Sequence, residues 1–182
     1  GLGEGRYAAV LIGGDNAHYT LTTDRARRLI DELLSLSRSL DLYLFVTTSR
    51  RTPPDVESLL KERLAPREEV AAMVIASESN PDNIVPEMLA VSSCAVVTAE
   101  SVSMVSECIA SGRPTALFAL DKKIKKTTRH DIYINHVIQS QYAFSLDDSG
   151  SADVRAAIMK GRAQELDTMK TIQEKLRRKL AL

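Results

Sequence analysis

An α/β fold, a parallel sheet doubly wound with helices on both faces, is what this sequence predicts, and three observations predict it. Short apolar runs alternate with segments of helical periodicity along the whole chain. The runs are continuously apolar instead of alternating, as strands buried on both faces must be. Four of the runs end in small or polar residues, which suits the carboxyl edge of such a sheet, where ligands bind. The 182 residues fit one domain with a full core.

The elements follow in order. YAAVLIGG is a buried strand running into a tight Gly13-Gly14 loop, and DNAHYTLTT reads as polar loop. From Thr23, taken as N-cap with Asp24 in the first turn, Ala26, Leu29, Ile30, Leu33 and Leu34 recur at helical spacing. DLYLFVTT is the second strand. TPPDVESLLKERL is the second helix, with proline in its first turn and Val56, Leu59, Leu60 and Leu64 inward. VAAMVIA is the third strand, and NPDNIVPEMLAVS a short helix with Asn80 as cap and Pro81 in the first turn. SCAVVTA is the fourth strand, followed by a helix from a Ser101 cap to a Gly112 stop. PTALFAL is the fifth. A basic stretch, KKIKKTTRH, leads into a helix near 128–140 and a short strand, YAFSL. Residues 152–182 carry Ile158, Leu166, Met169, Ile172, Leu176 and Leu180 and predict a long amphipathic C-terminal helix.

Composition narrows the function classes. Basic and acidic residues balance at 24 each, so no bulk charge points to nucleic acid, and any anion site must be local. Cys94 and Cys108 sit in apolar patterns without a CxxC pair and read as reduced core residues of a cytoplasmic protein. Three scattered histidines make no metal site. No stretch reaches the ~18 apolar residues of a membrane span. The opening residues 1–6, beginning GLGEG without Met, read as a cloning scar or linker of a longer protein.

The strand ends are the informative part. Gly13-Gly14, Thr47 to Arg51, Ser77 to Asn80, and Thr98 to Ser103 should all face one edge. Each has a plain alternative: a turn, solvated charges, a helix cap, a surface glutamate at Glu107. Together they suit a phosphate-bearing ligand. Glycines admit backbone N–H groups to phosphate oxygens, Val102 and Ser103 open a helix, and Arg50 or Arg51 offers a bidentate contact. A carboxylate at Glu107 would accept ribose hydroxyls. GGDNAHY lacks the dinucleotide GxGxxG pattern, and no GxxxxGK[ST] loop occurs.

At LIGGDNAHY, VTTSRRTP, Asn80-Pro81, ESVSMVSE and Gly112 to Pro114 the chain resembles the mitochondrial-fission "elongated mitochondria" family, whose members are classed with glycosyltransferases. The resemblance covers about residues 7–146. It implies the C-terminal, Rossmann-like half of a GT-B fold, a donor domain for a nucleoside-diphosphate sugar, facing an N-terminal acceptor domain that this chain lacks. It implies no metal and no required cofactor. Carried over by position, the donor-binding residues are Gly13, Gly14, Thr48, Ser49, Arg50, Arg51, Asn80, Glu100, Ser101, Val102, Ser103 and Glu107. Ser101 to Ser103 would meet the diphosphate, Glu107 the ribose, and Arg50 or Arg51 the phosphate charge. Glu100 departs from the family's usual Asp. No catalytic residue is assigned. The expected partners are the nucleotide sugar and the chain's own N-terminal domain, with peripheral membrane association a further option. A nucleotide-sugar 2-epimerase-like domain and a non-enzymatic adaptor are the alternative functions.

Overall fold

The computed structural model describes residues 6–79, 81, 82, 84–146 and 151–160. The elements are β1 (Arg6–Ile12), β2 (Tyr19–Thr20), α1 (Thr23–Leu40), β3 (Leu42–Thr48), α2 (Pro54–Leu64), β4 (Val70–Val74), α3 (Ile84–Val91), β5 (Cys94–Thr98), α4 (Val102–Ala110), β6 (Thr115–Phe118), β7 (Asp121–Lys122), α5 (Arg129–Gln139), β8 (Phe144–Ser145) and α6 (Ser151–Lys160). Six strands form one parallel sheet in the order β4-β3-β1-β5-β6-β8. This is the doubly wound, Rossmann-like arrangement that the alternation predicted. The chain steps outward from β1 through β3 to β4, then returns to the other side of β1 at β5. The loops after β1 and β5 therefore diverge, and the crevice of such a sheet lies between them.

Side-chain alternation in β1 divides the core. Ala8, Val10 and Ile12 pack with α1, α2 and α6, through Leu29, Leu33, Leu60 and Ile158 among others. Tyr7, Ala9 and Leu11 pack on the opposite face with α3, α4 and α5, through Met88, Ile109 and Val137. Both Cys94 and Cys108 are buried and unbridged, and burial pushes each thiol up to about 12. They are core residues, as expected. Register aligns the strand ends: Ile12 pairs with Thr48, Leu11 with Val97, and Thr98 with Phe118.

Several local expectations need correction. The loop after Gly14 contains β2, which pairs antiparallel with β7 to form a small ribbon. The α1 cap is Thr22, whose side chain accepts from the Arg25 N–H; Thr23 is already helical. β4 is an edge strand with Ala71 and Ala72 exposed, not one covered on both faces. α3 begins at Ile84, so Pro81 precedes the helix, and Asn80 lies outside the described residues. Ser101 stands at the α4 N-cap position without a side-chain capping bond. Gly112 stops α4 as read, with φ of 72° in the left-handed region. The C-terminal helix is described as far as Lys160; the remainder of that segment lies outside the described residues.

Candidate functional site

At the carboxyl end of β1 the two glycines have a purpose that the sequence does not announce. The Gly13 N–H donates to Thr98 Oγ1 at 2.7 Å, and the Gly14 N–H donates to Glu100 Oε1 at 2.9 Å. A Cβ on Gly13 would stand 1.7 Å from Glu100 Oε1, and one on Gly14 would stand 2.0 Å from the Arg51 carbonyl oxygen. The absent side chains thus admit a carboxylate and a neighbouring backbone. In this structure the two N–H groups are already engaged within the chain, which corrects the expectation that they face a phosphate.

The TTSRRT turn is stitched to this corner. Thr52 Oγ1 donates to the Gly13 carbonyl at 2.6 Å and accepts from the Ser49 N–H at 3.0 Å. Ser49 Oγ accepts from the Arg51 N–H, and the Asp15 N–H donates to the Arg51 carbonyl. Thr48 serves elsewhere. It is buried, accepts from the Ala76 N–H at 2.9 Å and donates to Glu57 Oε1, whose second oxygen accepts from Ser77 Oγ at 2.6 Å. Glu57, which sequence reading does not single out, is the buried centre of a latch joining β3, α2 and the turn after β4. With those backbone groups tied down, both arginines are left projecting and exposed. The Arg51 guanidinium lies 4.0 Å from Glu100 Oε1, and Arg50 has no ion pair among the described residues.

Glu100 is the most unusual group. Its side chain is wholly buried, and its Oε2 has no hydrogen-bond partner among the described residues. Burial pushes the carboxyl above the usual carboxylate range, although the Gly14 N–H, Thr98 and Arg51 pull the other way. Directly after it, α4 opens toward solvent. Val102 and Ser103 are exposed, and Ser101 Oγ sits 3.3 Å from Ser103 Oγ. The leading N–H groups of a helix have no intrahelical partner, so this end carries partial positive charge. Glu107 is exposed further along the same helix.

The fold therefore brings Gly13, Gly14, Arg51, Glu100, Ser101, Val102 and Ser103 to one corner. Arg50 and Ser49 share the adjoining turn, Glu107 stands along α4, and Thr48 is turned inward. Beside this corner, at the ends of β5 and β6, lies a cavity of about 390 Å³ lined by Tyr19, Glu100, Lys122, His130 and Asp131 among others. Sequence reading gave only Glu100 of these as a site residue; Lys122 and His130 stand at the two ends of its basic stretch KKIKKTTRH. His130 Nε2 donates to the Ala99 carbonyl at 2.5 Å. Asp131 accepts from Tyr19 Oη at 2.6 Å, Lys122 Nζ at 2.8 Å and the Thr128 N–H at 2.6 Å. Desolvation alone would raise the Asp131 carboxyl. The bonds from Lys122, Tyr19 and Thr128 outweigh it and hold the group well below the usual carboxylate range. A further sequence signal for this cluster is the T-x-x-D capping box that Thr128 and Asp131 form at the start of α5. Among the described residues no group of His, Cys, Asp and Glu is placed to hold a metal ion, and no helix is long and apolar enough to cross a membrane.

Comparisons with known proteins complete the picture. A family model described as "Mitochondrial fission ELM1" matches residues 3–180. A curated relative, "Uncharacterized protein RP120" of Rickettsia prowazekii (strain Madrid E), is 27% identical over 146 residues. The match covers 79% of this chain and 40% of that protein, so the chain spans well under half of its length. Among solved structures, the FMN-dependent cysteine decarboxylase TvaF from thioviridamide biosynthesis aligns with a TM-score of 0.47 at 12% identity, covering 87% of this chain and 98% of that one.

Proposed function

On the premise that the chain belongs to the mitochondrial fission ELM1 family, we propose that it is the donor-binding domain of a GT-B-type glycosyltransferase and holds a nucleoside-diphosphate sugar at the β1–β5 crevice. The observation that carries this reading is the exposed first turn of α4, which opens beside Arg51 at the strand where the sheet order reverses. Ser101, Val102 and Ser103 receive the diphosphate, Arg50 and Arg51 offset its charge, and Glu107 accepts from the ribose. Glu100 sits under this site as a like charge unless it is protonated or paired with Arg51. Catalysis in this reading is electrostatic: fixed N–H dipoles and guanidiniums stabilise the departing diphosphate. Transfer needs an acceptor-binding domain, which we place in the part of the longer relatives that this chain does not match.

Calorimetric titration with UDP, GDP, CMP and ADP tests the reading. One nucleotide should bind saturably. Arg50→Ala/Arg51→Ala and Glu107→Ala should each weaken it about tenfold or more, the loss expected when charge-assisted hydrogen bonds are removed. Binding indifferent to both variants, or none at millimolar nucleotide, sinks the proposal, and the second result favours an adaptor role. A 2-epimerase-like activity is the second reading, favoured by the convergence of Glu100, His130 and Asp131 on one cavity. It requires that a bound nucleotide sugar be inverted at C2, which NMR of the sugar would reveal.

A further inference from the structure

Opposite the crevice, at the amino edge of the sheet, the structure carries a second polar site. Arg38 of α1, Arg63 of α2, Arg67 just beyond α2 and Arg155 of α6 line one cavity of about 590 Å³, with Asp31 as the only carboxylate among the described lining residues. The chain as a whole has no net charge, so this surplus is local. Helix dipoles account for part of it: Arg38 and Arg63 lie in the last turns of α1 and α2, where cations are favoured. They do not account for Arg67, which follows α2, or for Arg155, which comes from a third element before that helix's last turn.

The existing pairings leave the guanidiniums under-used. Arg38 Nε donates to Glu69 Oε1 at 3.0 Å, and Arg63 Nη2 stands 3.8 Å from Asp31 Oδ1. Arg67 Nε donates to the Arg63 carbonyl, and Arg155 Nη2 donates to Ser35 Oγ at 3.0 Å. Arg155 Nε is buried with no hydrogen-bond partner among the described residues. A desolvated donor without an acceptor is costly, and it leaves the Arg155 charge poorly compensated within the described residues. An adjoining cavity of about 570 Å³ shares Arg38 and Arg67 but is also lined by Asp41, Glu68 and Glu69, so the cationic surplus is confined to the first.

We propose that this four-arginine cavity between α1, α2 and α6 is a binding site for a phosphate group, separate from the nucleotide crevice. Planar guanidinium forks from three elements suit the several acceptor oxygens of a phosphate far better than a single carboxylate. The phosphate belongs either to a small soluble ligand or to the headgroup of an anionic lipid.

The test follows backbone amide shifts of the 182-residue chain by ¹H–¹⁵N NMR during titration with inorganic phosphate, beside flotation with phosphatidylcholine vesicles containing or lacking phosphatidic acid. Shifts should cluster near residues 31–39, 63–67 and 155. Arg63→Gln/Arg155→Gln should weaken the binding that these shifts report about tenfold. Saturation by free phosphate without flotation identifies a soluble ligand. Flotation only with phosphatidic acid, lost in the Arg63/Arg155 variant, identifies a lipid headgroup. Shifts confined to residues 13–14, 50–51 and 101–103, binding insensitive to the Arg63/Arg155 pair, or no binding in either arm would overturn the proposal. Those outcomes leave the nucleotide reading standing, because its own variants lie on the other edge of the sheet.

Discussion

Gly13 and Gly14 separate two causes that a sequence cannot distinguish. Neither glycine has a positive φ, so backbone strain is not the reason for either. At Gly13 the obstacle to a side chain is the Glu100 carboxylate, and at Gly14 it is the Arg51 backbone. Gly13→Ala should therefore destabilise strongly in the parent chain and much less in a Glu100→Ala background. A coupling of about 1–3 kcal/mol is expected from a denaturant double-mutant cycle. Gly14→Ala should be destabilising in both backgrounds, since no side-chain truncation moves the Arg51 carbonyl; additive losses at Gly13 would show that the two residues do not meet. Glu100 itself should leave a trace in the pH profile. Its folded carboxyl is raised, so the folded state holds a proton that the unfolded chain releases near the ordinary glutamate value. That contribution is fully present at low pH and fades as pH rises from the ordinary value through the raised one. Glu100→Gln should flatten this part of the stability curve and gain stability at neutral pH, as urea midpoints across pH would read. An unchanged slope would mean that Arg51 and the Gly14 N–H keep the group ionised.

At the scale of elements, the strands and long helices were legible because burial writes itself as apolar runs and helical spacing; β1, β3, β5 and β6 fall where the runs were. The β2–β7 ribbon was not legible. Each strand has two residues, and partners a hundred positions apart leave no periodic trace. What holds the ribbon is polar: Tyr19 Oη and Lys122 Nζ, one from each strand, both donate to Asp131 at the start of α5. Opposite behaviour to Glu100 follows. The Asp131 carboxyl is depressed, so its stabilisation is present above the ordinary aspartate value and is lost as pH falls through the lower folded value. Tyr19 and Lys122 amide shifts should change together on acidification below about pH 4. Asp131→Asn should produce that change already at neutral pH, whereas a ribbon indifferent to the substitution would mean that backbone pairing alone holds it. The candidate site was legible in the same partial way. Its location came from strand ends, but the roles of Thr48, Glu57 and Thr52 depend on which polar groups end up buried together, and only the packed sheet decides that.

Over the whole molecule, the order of strands creates a gradient of stability that no single run of sequence contains. β1 is hydrogen-bonded on both sides, to β3 and β5, and its side chains from Ala8 to Ile12 are buried in both core layers. β4, read from its apolar run as another buried strand, ends the sheet with Ala71 and Ala72 exposed, and a shift of register interrupts its ladder with β3 between Leu44 and Phe45. Local opening costs little where few apolar contacts are lost and as much as global unfolding where many are. Native-state hydrogen exchange should therefore rank amides of β1 and β5 as the slowest, at the global unfolding free energy, with β3 close behind. The β4 amides and the β2–β7 ribbon should exchange through smaller openings with weak dependence on denaturant. The β1–β5 crevice then rests on the most persistent part of the fold, while the ribbon that borders it opens at lower cost. If β4 proved as protected as β1, the sheet would be opening as one unit.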